Sequence, residues 1–181
     1  MDTLADAKRI DIISDTHGYL SDELLAALEG ADLIIHAGDM TSEADWDHLN
    51  TIAPIKAVLG NNDFYRDYGP GVPALNTFTY EGLSFAVTHY REELPVGTVD
   101  VAICGHTHRP KIVQLGKCLV INPGSPTYPR SARGNTMARL FVAGYLGRHH
   151  RSIVWRGAWS PRHFCAQWSC LPANSLSMGC D

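Results

Sequence analysis

The rhythm of apolar and polar positions changes along this chain, and it predicts most of the elements. Arg9-Ile10-Asp11-Ile12-Ile13-Ser14 is a short apolar-rich run, read as a first strand. Ser21 to Glu29 follows at helical spacing. Asp22 and Glu23 suit its positive amino-terminal end, Leu24, Leu25 and Leu28 form its apolar stripe, and Gly30 stops it. Asp32 to Ala37 reads as a second strand, Ser42 to Ile52 as a second helix with Trp46, Leu49 and Ile52 on one face, and Pro54 to Leu59 as a third strand. Strand–helix–strand–helix–strand predicts a parallel sheet joined by right-handed crossovers.

The chain then changes character. Phe64 to Pro73 is a loop rich in aromatics, Gly and Pro. Thr77–Tyr80 and Leu83–Val87, joined by Glu81-Gly82, read as a hairpin. The apolar run Val99–Cys104 reads as a buried strand, Lys111–Gln114 and Lys117–Ile121 as a second hairpin, and Met137–Val142 as one more strand. From Gly144 onward no helical or strand period is legible.

Composition narrows the class. With 181 residues, 45% hydrophobic and 19% charged, the chain is long enough for one globular domain with a real core. No apolar run reaches the length of a membrane span, and Met1 to Lys8 has no apolar core of a signal peptide. Five irregularly spaced cysteines without a CxxC argue against a disulfide framework and fit a reducing cytoplasm. The net charge of −4 conceals an asymmetry: residues 1–100 hold 18 of the 19 acids, and residues 101–181 hold 10 of the 15 basic residues. Without a clustered Lys/Arg run, packing of the two halves is a better reading than a nucleic-acid surface.

The chemistry sits at the strand ends. The first strand closes on Asp15-Thr16-His17-Gly18, the second on Gly38-Asp39, the third on Gly60-Asn61-Asn62-Asp63. The first hairpin closes on Thr88-His89, and the Val99–Cys104 run on Gly105-His106-Thr107-His108. Open α/β sheets bind ligands at the carboxyl ends of their strands. Asp15, His17, Asp39, Asn61, His89, His106 and His108 together mix carboxylate, imidazole and amide oxygen without thiolate. Such a set suits Mn²⁺, Fe, Zn²⁺, Co²⁺ or Ni²⁺ rather than copper or calcium. One carboxylate can bridge two ions held roughly 3.5–4 Å apart.

The series D-x-H, GD, GNxD, a lone His, GHTH and then Asn122-Pro123-Gly124-Ser125 resembles the calcineurin-like metallophosphoesterases, in particular their small bacterial and archaeal phosphodiesterase branch. The retromer scaffold subunit shares that fold. The resemblance covers about residues 9–142; it marks 9–143 as the metallophosphoesterase domain and leaves 144–181 as an atypical carboxyl-terminal extension. It implies an α/β fold: a four-layer αββα sandwich of two mixed sheets flanked by helices, with the metal site at the strand carboxyl ends. By position, one metal would be held by Asp15, His17, Asp39 and His108, the other by Asp39, Asn61, His89 and His106, with Asp39 bridging. Asn62 and Asp63 fall at the positions of the catalytic part of the motif. The implied cofactor is two divalent ions, Mn²⁺ first, and the implied reaction is attack of a metal-bound water on a phosphoester. Asn122 and Ser125 are read as shaping the loop under the site, and Gly18, Gly38, Gly60 and Gly105 as backbone requirements beside the metals.

Two departures from the family pattern stand out. Many relatives carry His where this chain has Asn62, and an amide cannot give a proton to the leaving oxygen. Tyr90 replaces the Gly that usually follows the lone His, and only 16 residues separate His89 from His106, where relatives have a longer helix-bearing connection. Both features bear on the second metal. His36, His48, His149, His150 and His163 match no motif position and are read as surface or packing residues. Arg66, Arg91, Arg109, Arg130 and Arg133 lie in loops within reach of a pocket, and Phe64, Tyr65 and Tyr68 are aromatics able to stack on a base. The leading function is a phosphodiesterase acting on a small phosphoester, a nucleotide included, with neither a membrane nor a nucleic-acid polymer as partner. The competing functions are a non-catalytic interaction scaffold and a phosphomonoesterase; homo-oligomerisation is left open.

Overall fold

Ile10 and Ile12 of β1 (Lys8–Ile13) point into one core and Ile13 into another, as alternation in a strand covered on both faces requires. The computed structural model describes residues 7–143, 152–156 and 167–169. Asp11, on the same face as Ile13, is fully buried. It is held between Arg9, at 2.5 Å, and Arg139, at 2.7 Å, and both guanidiniums also donate to the Ala27 carbonyl.

β1 pairs in parallel with β2 (Leu33–His36), and β2 with β3 (Ile55–Ala57). The crossovers are α1 (Asp22–Leu28) and α2 (Glu43–Ile52). The Ser21 and Ser42 hydroxyls cap these helices, accepting from the backbone N–H groups of Leu24 and Asp45, and acidic residues occupy both first turns. Leu24, Leu28 and Leu49 bury the helices against Ile13, Ile34 and Ala57. The hairpin β4 (Leu75–Tyr80) and β5 (Leu83–Thr88), then β6 (Val101–Ile103), then the hairpin β7 (Lys111–Leu115) and β8 (Cys118–Asn122) form a second sheet in the order β4-β5-β6-β8-β7. The last strand expected, β9 (Ala138–Ala143), returns to β1 antiparallel.

Two further strands lie in the stretch that showed no period. β10 (Ser152–Arg156) pairs with β9, and β11 (Gln167–Ser169) with β10, so the first sheet runs β11-β10-β9-β1-β2-β3. The inner faces of the two mixed sheets share one core, with Phe85, Val101, Ile103 and Ile121 against Ile10, Ile12 and Ile35. The result is the expected α/β sandwich of two mixed sheets. Its layers are unequal: the outer face of the second sheet, Ala102, Cys104, Cys118 and Val120, is covered by Leu94 with Val96 and Val99. The only helix in that link is a 3-10 turn at Arg91–Glu93.

Candidate metal centre

The turns after β1 and β2 are laced together beyond the strands themselves. Ala37 N–H donates to Ile13 O at 2.9 Å, Asp15 N–H to Gly38 O at 3.0 Å, His17 N–H to Asp39 O at 3.0 Å and Gly18 N–H to Met40 O at 2.7 Å. This zipper holds D-x-H and GD side by side. Asp63 pins them from below. Its buried carboxylate accepts from the backbone N–H groups of Asp39, Thr41 and Gly60 at 2.7–2.8 Å and from the Tyr68 hydroxyl at 2.8 Å. Asp63 therefore acts as a positioning residue, where the motif had placed it in the catalytic part. Two glycines are fixed by close approach. A Cβ on Gly60 would lie 2.2 Å from Asp39 Oδ1, and one on Gly105 1.9 Å from Ser14 Oγ and 2.9 Å from Asp15 Oδ2.

Around the GHTH turn two donor groups converge. In the first, His108 Nε2 lies 3.2 Å from Asp15 Oδ1 and 3.3 Å from His17 Nε2, and His17 Nε2 lies 3.8 Å from Asp39 Oδ2. In the second, His89 Nε2 lies 3.4 Å from Asp39 Oδ2 and 3.1 Å from Asn61 Oδ1, which is also 3.1 Å from His106 Nδ1. Asp39 is common to both. Its Oδ1 accepts from Asn62 N–H at 2.8 Å and its Oδ2 from the Asn62 amide at 2.6 Å, so Asn62 clamps this carboxylate. Tyr90 stands against the second group, its ring centroid 4.6 Å from that of His106 and 5.3 Å from that of His89.

Back-side hydrogen bonds assign the imidazole tautomers. His108 Nδ1 faces the Tyr128 carbonyl at 2.6 Å and His89 Nδ1 the Ala37 carbonyl at 2.8 Å, so each Nδ1 carries the proton. Burial lowers the pKa of His108, leaving the ring neutral and its Nε2 lone pair aimed at Asp15 Oδ1. That carboxylate oxygen is buried and accepts no hydrogen bond. A lone pair facing an unpartnered buried carboxylate oxygen is repulsive unless a cation sits between them. Burial pushes Asp15 up to about 6, the response of a carboxylate that lacks its counter-charge. Burial acts on Asp39 the same way, but His89 and the Asn62 donors outweigh it and hold its carboxyl well below the usual range. Burial opposes a charged His89, yet Asp39 and the Ala37 carbonyl outweigh that and raise its pKa. A proton or a cation is called for there. Ligand-type atoms of Asp15, His17 and His108, and of Asp15, Asp39 and His89, lie within 4.8 Å of one another, so the residues fit a divalent metal.

The backbone is strained at this same place. Among the described residues, seven non-glycine residues have left-handed φ, and five of them are Asp15 (57°), His17 (49°), Asp39 (59°), His106 (66°) and His108 (56°). A sixth is β-branched Thr41, at 61°. Such conformations cost of order 1–3 kcal/mol each and persist where the surroundings over-determine them, which is typical of functional sites.

The remaining expected residues fall into place. Asn122 donates to the Gly105 carbonyl at 2.7 Å, and the Ser125 hydroxyl to the Asp15 carbonyl at 2.8 Å, so the NPGS loop supports the site from beneath. His36, read as a surface or packing residue, is fully buried behind the site. Its Nδ1 accepts from Gly38 N–H at 3.2 Å and its Nε2 bonds Thr16 Oγ1 at 3.0 Å, while burial pushes its pKa down to about 4. The one sequence signal for it was a polar residue ending an otherwise apolar strand. His48 is exposed on α2; His149, His150 and His163 lie outside the described residues. Tyr68 is buried against Trp46 rather than free to stack, Arg66 pairs with Glu43, and Phe64 and Tyr65 are exposed against each other. Cys104, beside the GHTH turn, stands outside both donor groups, and burial pushes its thiol up to about 11.

A family model for the calcineurin-like phosphoesterase superfamily domain matches residues 9–144. The chain belongs to this superfamily. It is 37% identical over 138 residues to a "Probable metallophosphoesterase" of Methanothermobacter thermautotrophicus, covering 67% of this chain and 78% of that one. A second such relative, from Methanocaldococcus jannaschii, is 35% identical over 138 residues, covering 67% and 69%. Among solved structures, Vps29 of Cryptosporidium parvum superposes with a TM-score of 0.71 at 17% identity, covering 91% of this chain and 99% of that one. A phosphoesterase from E. coli gives 0.62 at 24% identity, covering 79% and 96%. These two likenesses concern the fold. As a member of the superfamily the chain is a metallophosphoesterase by family, and the donor groups above are candidate metal-binding groups of that family. No helix among the described residues is long and apolar enough to cross a membrane.

Proposed function

We propose that this protein is a dinuclear metal-dependent phosphodiesterase. The observation that carries the reading is the His108 Nε2 lone pair aimed, at 3.2 Å, at Asp15 Oδ1, a buried carboxylate oxygen that accepts no hydrogen bond. Asp15, His17, Asp39 and His108 would hold one ion, and Asp39, Asn61, His89 and His106 the other. When bound, two divalent ions supply charge stabilisation for a phosphoester and a water acidic enough to serve as nucleophile near neutral pH. Mn²⁺ is the first choice for this mixed oxygen and nitrogen set, with Zn²⁺, Ni²⁺, Fe and Co²⁺ as alternatives.

This chain's own residues set the rest. The carbonyls of Tyr128 and Ala37 orient two rings from behind, as outer-shell partners do at metal sites. Asn62 holds Asp39 ionised and correctly turned, and offers no proton to a leaving oxygen. The archaeal protein described as a novel phosphodiesterase has the same fold, with a TM-score of 0.57 at 24% identity, which agrees with a diester substrate without deciding it.

The test uses metal-stripped protein reloaded with Mn²⁺, Ni²⁺ or Zn²⁺ and matched chromogenic mono- and diesters. Diester turnover above monoester turnover, with two metals bound per chain and fewer in His89→Ala, supports the reading. Faster monoester turnover makes it a phosphomonoesterase. Absence of turnover with every metal makes it a scaffold.

A further inference from the structure

A cleft of about 520 Å³ opens beside the GHTH turn on the outer face of the second sheet. His106 lines it and also reaches Asn61 Oδ1, so the cleft begins where the second donor group ends. Four cations line the same space: Arg91, Arg109, Lys111 and Arg130. Each is exposed, and none has a carboxylate within ion-pair distance among the described residues. Glu92 and Glu93 follow Arg91 but do not line the cleft. Four like charges gathered around one cavity repel each other unless an anion joins them. Their placement is built into the site: Arg109 Nε donates to the Arg130 carbonyl at 3.2 Å, and Arg130 N–H to the His108 carbonyl at 3.1 Å. The floor is apolar, made by Cys104 and Val120 of the face that the short link after His89 leaves thinly covered.

We infer that this cleft is a second anion subsite, which holds a further phosphate of the substrate joined to the scissile phosphoester through an apolar or flat group. The substrate class is a polyanionic phosphodiester of nucleotide type. One phosphate at the metal groups leaves four cations unmatched, and guanidinium groups suit phosphate oxygens bidentately. The inference rests on the phosphoesterase reading, since it treats the cleft as part of the same substrate site. It also gives a place to the excess of basic residues after residue 100: Arg109, Lys111 and Arg130 all belong to that stretch.

The test compares thymidine 5′-(p-nitrophenyl phosphate) with its 3′-phosphorylated counterpart, which share the scissile bond and the leaving group. The wild type turns over the 3′-phosphorylated ester with kcat/KM about tenfold higher or more, carried by KM, as charge-assisted contacts to one phosphate require. In the double variant Arg91→Gln, Lys111→Gln that ratio falls towards one, while kcat for the simple ester is unchanged. No preference in the wild type, or a preference that survives both substitutions, overturns the inference. Calorimetry with thymidine 3′,5′-bisphosphate and thymidine 5′-phosphate separates the two claims. If neither ester turns over with any metal, the phosphoesterase reading fails alone, and tighter bisphosphate binding by the wild type than by the double variant sustains the cleft. Equal binding of both nucleotides by the wild type overturns it.

Discussion

Asp15 concentrates the physics of the site in one carboxylate. Its Oδ2 is satisfied by the Ser14 hydroxyl at 2.7 Å and His106 N–H at 3.1 Å, while its Oδ1 has only the His108 lone pair for company. Its pKa, raised from 3.8 to about 6 by burial, fixes the sign of its effect on the metal-stripped protein. Between those values the folded protein keeps a proton that the unfolded chain has released. Asp15's contribution to stability therefore declines as pH rises through this window, reaching a loss of about 3 kcal/mol above it. Asp15→Asn removes the charge, keeps an acceptor for Ser14 and His106, and presents an amide donor to His108 Nε2. The thermal midpoint of the stripped protein should rise by several degrees at pH 7.5 and stay the same at pH 4. A divalent ion should stabilise the wild type more than the variant, which keeps only the second donor group intact. A lower midpoint for the stripped variant at pH 7.5 would mean that Asp15 is not starved of positive charge. The seven proposed ligands stood out in the sequence because each follows the end of an apolar run, and the structure brings them together at one end of the two sheets. The roles of His36 and Asp63 were not legible in the sequence, since His36 bonds the Thr16 hydroxyl of another strand's turn and Asp63 the backbone N–H groups of Asp39 and Thr41, more than twenty residues away.

At the scale of elements, strands and helices long enough to repeat their pattern were predictable, and short ones depended on context. The stripe of α1 buries Leu24 and Leu28 and leaves Leu25 half-buried, and β5 is buried at five of its six positions, as a strand covered on both faces is. β10 and β11 carry five and three residues, too few to establish a period among the tryptophans, cysteines and histidines of residues 144–181. Their pairing is supplied by β9, whose five registered partners on β10 leave it an inner strand of the sheet. A chain ending at residue 143 would turn β9 into an edge with an open ladder of N–H and C=O groups. Such a chain is expected to melt earlier and to self-associate as its concentration rises, read by light scattering against the full chain. Bound metal per chain should be the same, because all seven proposed ligands precede β9. A truncated chain that keeps both the original melting temperature and the original mass would show that β10 and β11 add nothing to the sheet.

Taken whole, the molecule sets a net charge of −4 against a local cluster of four cations beside the proposed metal site. The two make opposite predictions for an anionic substrate. Net charge repels it at long range, and salt, by screening that repulsion, would speed its capture. The cleft attracts it at short range, and salt would slow it. Low-dielectric walls focus the field of clustered charges, and α1 and α2, with acids in both first turns, pack on the first sheet rather than on the second-sheet face that carries the cleft. The local field should therefore govern the encounter. Between about 0.01 and 0.15 M salt the screening length shrinks from about 30 to 8 Å, enough to weaken the cleft's attraction across solvent. kcat/KM for a phosphodiester should fall over that range, with kcat nearly constant because phosphate held at the metals is screened far less. In Arg91→Gln, Lys111→Gln the dependence should flatten or change sign as the negative remainder of the molecule takes over. A wild-type kcat/KM that rises with salt would place substrate capture under the net charge and leave the four cations without a part in it.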